Sequence, residues 1–262
     1  MLRKKKLFLL DLDGTLYLGD RLFEGTMDFL RRVREKGGRY LFTTNNSSRG
    51  VEEYVERLRG MGIDAAPEDF FTSTDVLIWH LQKRSGDALI YAVGTESFRR
   101  QLTHAGFRVT DRAEDGIGVV VCGFDTELTY QKVRDACMLL SRPEVDFLAT
   151  NPDLTCPMPW GFTPDCGSIC EMISRAAGRS PRFAGKPEPE MVLLAMERWG
   201  YTPEETVMVG DRIDADIACG FRAGVDTAFV LSGGGVPSDI EKYGVQPTET
   251  YRDIREMFEK MG

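Results

Sequence analysis

Short apolar runs alternate along this chain with stretches in which apolar positions recur every three or four residues. Leu7–Leu10 is apolar throughout and predicts a strand covered on both faces. Residues 27–36 place Met27, Leu30 and Val33 on one helical face, and Gly37-Gly38 stops that helix. Residues 40–43 predict the next strand. Residues 51–59 predict the next helix, closed by Gly60 and Gly62. A short strand over 70–72 and a helix running to Arg84 follow. Strand and helix in strict alternation imply a parallel sheet with helices on both faces, an α/β, Rossmann-like doubly wound architecture.

The pattern restarts in the middle of the chain. Leu89–Val93, 119–122 and 147–150 predict strands, and 96–105 and Tyr130–Leu140 predict helices. Residues 151–167 carry four prolines and no period, which predicts an irregular loop. A loop of that length inside a compact domain is usually functional or disordered. A helix over 168–177 ends at Gly178. The first pattern then resumes with a helix at Glu190–Trp199, a strand at 206–209, a helix at 213–223 and a strand at 228–231. One domain interrupted by another is therefore expected: a discontinuous core of residues 1–85 and 183–262, and an inserted α/β domain over 86–182.

Composition narrows the classes. Of 262 residues, 42% are apolar and 28% charged, as in ordinary soluble proteins. The net charge of −8 argues against a general nucleic-acid binder, which needs a basic face. No run of about 18 apolar residues is present, so neither a transmembrane helix nor a membrane partner is expected. The basic start followed by Leu7–Leu10 is too short for a signal peptide and ends in acid. The run Lys4-Lys5-Lys6 reads as a solvated arm. Cys122, Cys137, Cys156, Cys166, Cys170 and Cys219 form no CxxC pair, so reduced thiols and a cytoplasmic protein are expected. Cys166 and Cys170 share a helix face, with no metal or disulfide role expected.

Four stretches carry chemistry. Asp11 and Asp13 close the first apolar run, and positions i and i+2 of an extended chain face the same way. Two like charges there call for a metal ion, or for a phosphate with a metal beside it. Thr43-Thr44-Asn45-Asn46-Ser47 follows the second strand. Gly185-Lys186-Pro187 and Gly210-Asp211-Arg212-Ile213-Asp214-Ala215-Asp216 complete the set. Singly, these read as a turn or calcium-loop fragment, a helix N-cap cluster, a surface turn, and a loop entering a helix. Together, all four fall at or near strand C-termini, the edge where open α/β sheets bind ligands. Gly233-Gly234-Gly235 lacks the spacing of a phosphate loop and reads as a turn.

The set DxDGT, TNN, GKP and GDRxxxD, in that order, resembles the haloacid dehalogenase superfamily of phosphatases. TTNNSSR, ATNPD, GSI and GKPEP are similar to its NagD-like branch, which holds p-nitrophenyl and pyridoxal phosphate phosphatases and carries a large inserted α/β cap of the C2 type. The resemblance covers essentially the whole chain. It implies a Mg²⁺-dependent hydrolase of small phosphate monoesters in which Asp11 is the nucleophile and forms an aspartyl-phosphate. Asp13 would be the general acid and base. Mg²⁺ would be held by the Asp11 carboxylate, the Asp13 backbone carbonyl and the Asp211 carboxylate, with Asp216 in support and Asp214 exposed. Thr44, Asn45 and Asn46 would bind the phosphoryl oxygens, and Lys186 would neutralise charge on phosphate. Gly14 would permit the turn and Thr15 would hold it.

The cap loop from Asn151 to Ser168 is the expected contact for the leaving group, with Trp160 and Phe162 either stacking on it or packing between domains. Pyridoxal phosphate-selective relatives carry a histidine where this chain has Cys156, which turns the expectation toward nucleoside monophosphates, sugar phosphates or p-nitrophenyl phosphate. His80 and His104, the only histidines, lie on predicted helices away from the motifs and are not expected to act. A phosphomutase or phosphotransferase is the alternative enzyme, opposed by the position of the cap. A non-enzymatic phospho-ligand sensor is opposed by the presence of Asp11, Asp13, Lys186 and Asp211 together. The resemblance also implies a homodimer formed through the cap.

Overall fold

The computed structural model describes residues 2–84, 86–158 and 160–261. Its chain forms two compact units. One comprises the chain up to Thr44, Tyr54–Phe71 and the chain from Lys186 onward; the other comprises Asn45–Glu53 and Thr72–Gly185. The second unit thus starts earlier than the expected 86–182 insertion and takes in the segment after Thr44. The helix Ser73–Arg84 belongs to it, and its first residue is tied there: the Ser73 hydroxyl donates to the Asn45 carbonyl at 2.9 Å.

The first unit is built on a five-stranded sheet in the order Glu249–Tyr251, Asp226–Val230, Thr206–Gly210, Leu7–Leu10, Arg39–Phe42. Every pairing is parallel. Leu7–Leu10 lies between two neighbours and is buried along its whole length, as its unbroken apolar run requires. The helix Thr26–Glu35 buries Phe29, Leu30 and Val33, and the Phe29 ring meets Phe8 edge-on at 5.6 Å. Pattern reading misses the helix Ile254–Met261, although Ile254, Met257 and Met261 carry its helical spacing; the edge strand Glu249–Tyr251 escapes it because three residues are too few to show alternation. The same holds for the two-residue strands Tyr17–Leu18 and Arg21–Leu22, which pair antiparallel just after Asp13.

Two expected elements differ. Residues 70–72 form no strand; Phe70 makes only a single bridge to Phe42. The 3₁₀ turn Pro67–Asp69 takes the Phe70 N–H, and the Asp75 carboxylate takes the Thr72 N–H at 2.7 Å, so the segment has few donors left for a ladder. The expected helix over 213–223 begins as a widened π turn, Ile213–Ile217, and only then becomes the α-helix Ala218–Arg222.

The second unit has its own five-stranded parallel sheet in the order Arg182–Phe183, Asp146–Ala149, Ile117–Cys122, Leu89–Val93, Val109–Thr110. Side-chain caps set its helix starts. Thr95 accepts the Phe98 N–H for Glu96–His104, and Thr129 accepts the Lys132 N–H for Tyr130–Leu140. Asp165 caps Cys166–Ala177, which therefore begins two residues before the expected 168; Gly178 closes it at φ 68°. The stretch expected to be irregular contains an antiparallel ribbon, Thr155–Met158 against Gly161–Pro164. A two-stranded ribbon has two free edges, so Pro157 and Pro164 cost it no interior ladder bonds. Among the described residues no helix is long and apolar enough to cross a membrane.

Leu9 is fully buried in an interior strand of the first unit's sheet. Leu9→Ala is expected to lower stability by about 2–5 kcal/mol, read as a lower denaturation midpoint at unchanged slope.

Candidate active site

The first unit's sheet delivers acids to one edge. The Asp11 N–H donates to the Val209 carbonyl at 2.9 Å, the last bond of the ladder that pairs Leu10 with Val209. Asp11 and Asp211 thus leave two neighbouring parallel strands at the same ends. The strand on the other side, Arg39–Phe42, runs out into Thr43 and Thr44. After Asp11 the chain reverses through Gly14 at φ 86°. No side chain fits there: a Cβ on Gly14 would stand 2.5 Å from Asp211 Oδ2.

Lys186 joins the acids. Its Nζ lies 2.6 Å from Asp11 Oδ1 and 2.6 Å from Asp216 Oδ1, and also donates to the Thr43 carbonyl at 3.5 Å. Thr15 Oγ1 donates to Asp11 Oδ2 at 3.4 Å. The widened turn at Ile213–Ile217 places Asp216 where its Oδ2 accepts the Arg212 N–H at 3.2 Å. Oxygens of Asp11, Asp211 and Asp216 all lie within 4.8 Å of one another. Asp214, expected to be exposed, is about one-third exposed and pairs with Arg212 at 2.9 Å.

The electrostatics follow from burial. Removal from water raises Asp211 to about 8, with the Asp11 and Asp216 charges adding to it. Burial likewise raises Asp216 to about 6 against the pull of Lys186, and it raises Asp11 despite that lysine. Burial works against the Lys186 charge too, but Asp11 and Asp216 outweigh it and hold the ammonium protonated. Ionised together, the three acids outnumber the one ammonium, and Asp211, raised to about 8, needs an added cation to ionise fully near neutral pH. Close-set hard oxygens with surplus negative charge fit a divalent cation such as Mg²⁺.

Asp13 differs from these three. Its side chain is 53% exposed, with the Arg57 guanidinium 4.0 Å away and the Tyr17 hydroxyl donating to it at 3.2 Å. Sequence reading missed both partners. It also missed the role of Gly233-Gly234-Gly235, which forms the expected turn but encloses Asp211. The Gly234 N–H donates to Asp211 Oδ2 at 2.7 Å, and a Cβ on Gly233 would stand 1.9 Å from that oxygen. Ser232 Oγ donates to the Gly14 carbonyl at 2.7 Å, tying this turn to the DxDG turn. The tight glycine run was the available signal; its partner lay more than twenty residues away.

Thr44 is buried at the end of its segment of the first unit, whereas Asn45 and Asn46 continue in the second. Within that second unit Asn45 Nδ2 donates to Asp153 Oδ2 at 2.8 Å, and Asn151 Nδ2 donates to the same oxygen at 2.9 Å. Asn46 Oδ1 accepts the Ser48 N–H at 3.0 Å. Burial, with Asp153 adding to it, pushes Asp165 up to about 7. Trp160 and Phe162 are 72% and 66% exposed in the two-stranded ribbon segment. His80 is buried against Trp79, and neither His80 nor His104 joins the carboxylate cluster.

Known proteins match over this whole framework. The profile of the haloacid dehalogenase-like hydrolase family matches residues 8–108, and a HAD-hydrolase-like profile matches residues 183–257. An acid sugar phosphatase of Staphylococcus aureus is 36% identical over 97% of this chain and 97% of its own length. The crystal structure of a 4-nitrophenylphosphatase from Thermotoga maritima superposes with a TM-score of 0.94 at 37% identity, covering 100% of this chain and 99% of that one. A glycerol phosphate phosphatase from Mycobacterium tuberculosis, solved in complex with magnesium, has a TM-score of 0.91 at 30% identity over 98% of this chain and 78% of that one.

Gly233→Ala is expected to displace the Asp211 carboxylate. The rise in melting temperature that Mg²⁺ produces in the unsubstituted protein should then shrink or vanish, measured by calorimetry with Mg²⁺ and with EDTA.

Proposed function

Because the chain belongs to the haloacid dehalogenase-like hydrolase family, we propose that it hydrolyses small phosphate monoesters through an aspartyl-phosphate on Asp11. One observation carries the assignment of roles. A single buried ammonium, Lys186, fixes Asp11 through Oδ1, while Asp211 stands beside it at the end of the adjacent strand.

Held in this way, Asp11 presents Oδ2 to phosphorus. As the Asp11–phosphorus bond forms, the bond to the ester oxygen breaks and Asp13 gives that oxygen its proton. Asp13 suits the task because it reaches solvent and is oriented by Tyr17 and Arg57. In the second half, Asp13 takes a proton from water, the water oxygen bonds to phosphorus, and the acyl phosphate bond breaks. Phosphate leaves and Asp11 is restored. Lys186 offsets charge on the phosphoryl group in both halves, and Thr44, Asn45 and Asn46 donate to its oxygens. The Asp11 and Asp211 carboxylates and the Asp13 carbonyl would hold Mg²⁺, backed by Asp216; when bound, it neutralises charge between nucleophile and phosphate. Together these groups must supply a barrier reduction on the order of 20 kcal/mol.

The second unit is assigned the selection of the leaving group. The relatives are named an acid sugar phosphatase, a 4-nitrophenylphosphatase and a glycerol phosphate phosphatase, so sugar and polyol phosphates head the substrate classes to test. Six free thiols suit a reducing compartment, and the cytoplasm is the proposed location.

Phosphate release from a panel of sugar, polyol, nucleotide and 4-nitrophenyl phosphates should require Mg²⁺ and stop in EDTA. Asp11→Asn should remove turnover and the acid-stable phosphoryl label while leaving the circular dichroism unchanged. A labelled Asp11→Asn protein would refute the covalent role. Lys186→Ala should lower kcat/KM by about 10²–10³-fold; unchanged kinetics would remove Lys186 from the site.

A further inference from the structure

The second unit buries three thiols that phosphoryl transfer does not use. Cys122 is the last residue of the strand Ile117–Cys122, while Cys166 and Cys170 lie on the first turns of the helix Cys166–Ala177. A spacing of four puts both helix sulfurs on one face. The fold turns that face onto the strand end. Cys166 Sγ lies 3.4 Å from the Cys122 carbonyl and 3.9 Å from Cys170 Sγ. Sulfurs of all three lie within 4.8 Å of one another. The side chains are 0–2% exposed, and all three cysteines are free.

We propose that Cys122, Cys166 and Cys170 form a trigonal thiolate site for a soft monovalent cation, Cu(I). A metal about 2.3 Å from each of three sulfurs sets them roughly 4 Å apart in one plane. Cys166 and Cys170 already stand at that spacing, and closing the third corner needs a shift of less than about 1 Å. The donor set selects the ion. It holds three sulfurs and no imidazole or carboxylate, whereas structural zinc sites take four protein ligands and Mg²⁺ takes oxygen. Among the described residues no fourth cysteine, and no histidine, aspartate or glutamate, joins the cluster. Each cysteine gives its thiol proton to solvent as its sulfur bonds to copper. Two features favour the resulting negative charge: Cys166 opens a twelve-residue helix at its positive end, and the Thr150 hydroxyl donates to Cys166 Sγ at 3.5 Å. The surrounding apolar cluster, with Phe124, Ile169 and Ile173, keeps water and oxidants out. The chain would thus keep two sites of opposite hardness, oxygens in the first unit and sulfurs in the second.

Anaerobic titration of the reduced full chain with Cu(I), against a chromogenic Cu(I) chelator, tests this directly. The expected result is one tightly held Cu(I) per chain with sulfur-to-copper charge-transfer absorption, unchanged in Cys137→Ser/Cys156→Ser/Cys219→Ser. Cys166→Ala and Cys170→Ala should each weaken binding by two orders of magnitude or more while phosphatase activity persists as the sign of a folded chain. Should either fail to fold, the other, together with the triple-serine variant, carries the test. Binding that the triple-serine variant loses would overturn the proposal. So would failure of the unsubstituted chain to compete with the chelator, or fewer than six titratable thiols in denaturant after purification without reductant.

Discussion

The contact on which the first unit's site depends is the Lys186 ammonium between Asp11 and Asp216. Each carboxylate is 2.6 Å away; Lys186 and Asp216 are buried, and Asp11 keeps a small exposed fraction. Neither sign of charge would be tolerable there alone. A buried unpaired ion costs several kcal/mol, while a paired and hydrogen-bonded one is held in a single geometry. The pairing also couples distant parts of the chain, since Asp11 and Lys186 are 175 residues apart in sequence. The inserted second unit therefore has to return the chain with Lys186 already in register, next to the strand ends that carry the acids.

That triad is deliberately incomplete as an electrostatic unit. Asp211 stands next to it without an ammonium of its own, and burial raises it to about 8. What holds Asp211 is backbone: the Gly234 N–H, and the close faces of Gly14 and Gly233, which leave no room for a side chain. Backbone donors fix the carboxylate while cancelling little of its charge. Oxygens held in this way suit a hard cation chemically, and a relative of the same fold was solved in complex with magnesium. Asp13, half exposed and flanked by Tyr17 and Arg57, is left in contact with water.

The two units use the same plan for different ends. Both place a five-stranded parallel sheet under helices, and both bring polar residues to strand ends. In the first unit the strand ends carry carboxylates; in the second, Cys122 ends one strand and Thr150-Asn151 follows another, leading into a buried network of Asn45, Asp153 and Asp165. A strand end is useful in both because the ladder stops there, so side chains converge without competing for backbone bonds.

Much of this was legible in the chain itself. Unbroken apolar runs located the inner strands, since a strand covered on both faces can carry little else, and the DxDG, TNN, GKP and GD stretches located the acids and the lysine. Period-based reading failed where elements are short or shaped by side-chain caps: the strand Glu249–Tyr251, the missing strand at 70–72, the ribbon after Leu154 and the widened turn before Ala218. The sequence by itself determined which residues carry charge and sulfur and which segments run through the core, because those follow from composition and local periodicity. Only the tertiary structure decided that Gly234 holds Asp211, that Tyr17 and Arg57 flank Asp13, and that Cys122 meets Cys166 and Cys170. Those partners are joined by the packing of elements distant or irregular along the chain, and no local pattern records which packed elements will face each other.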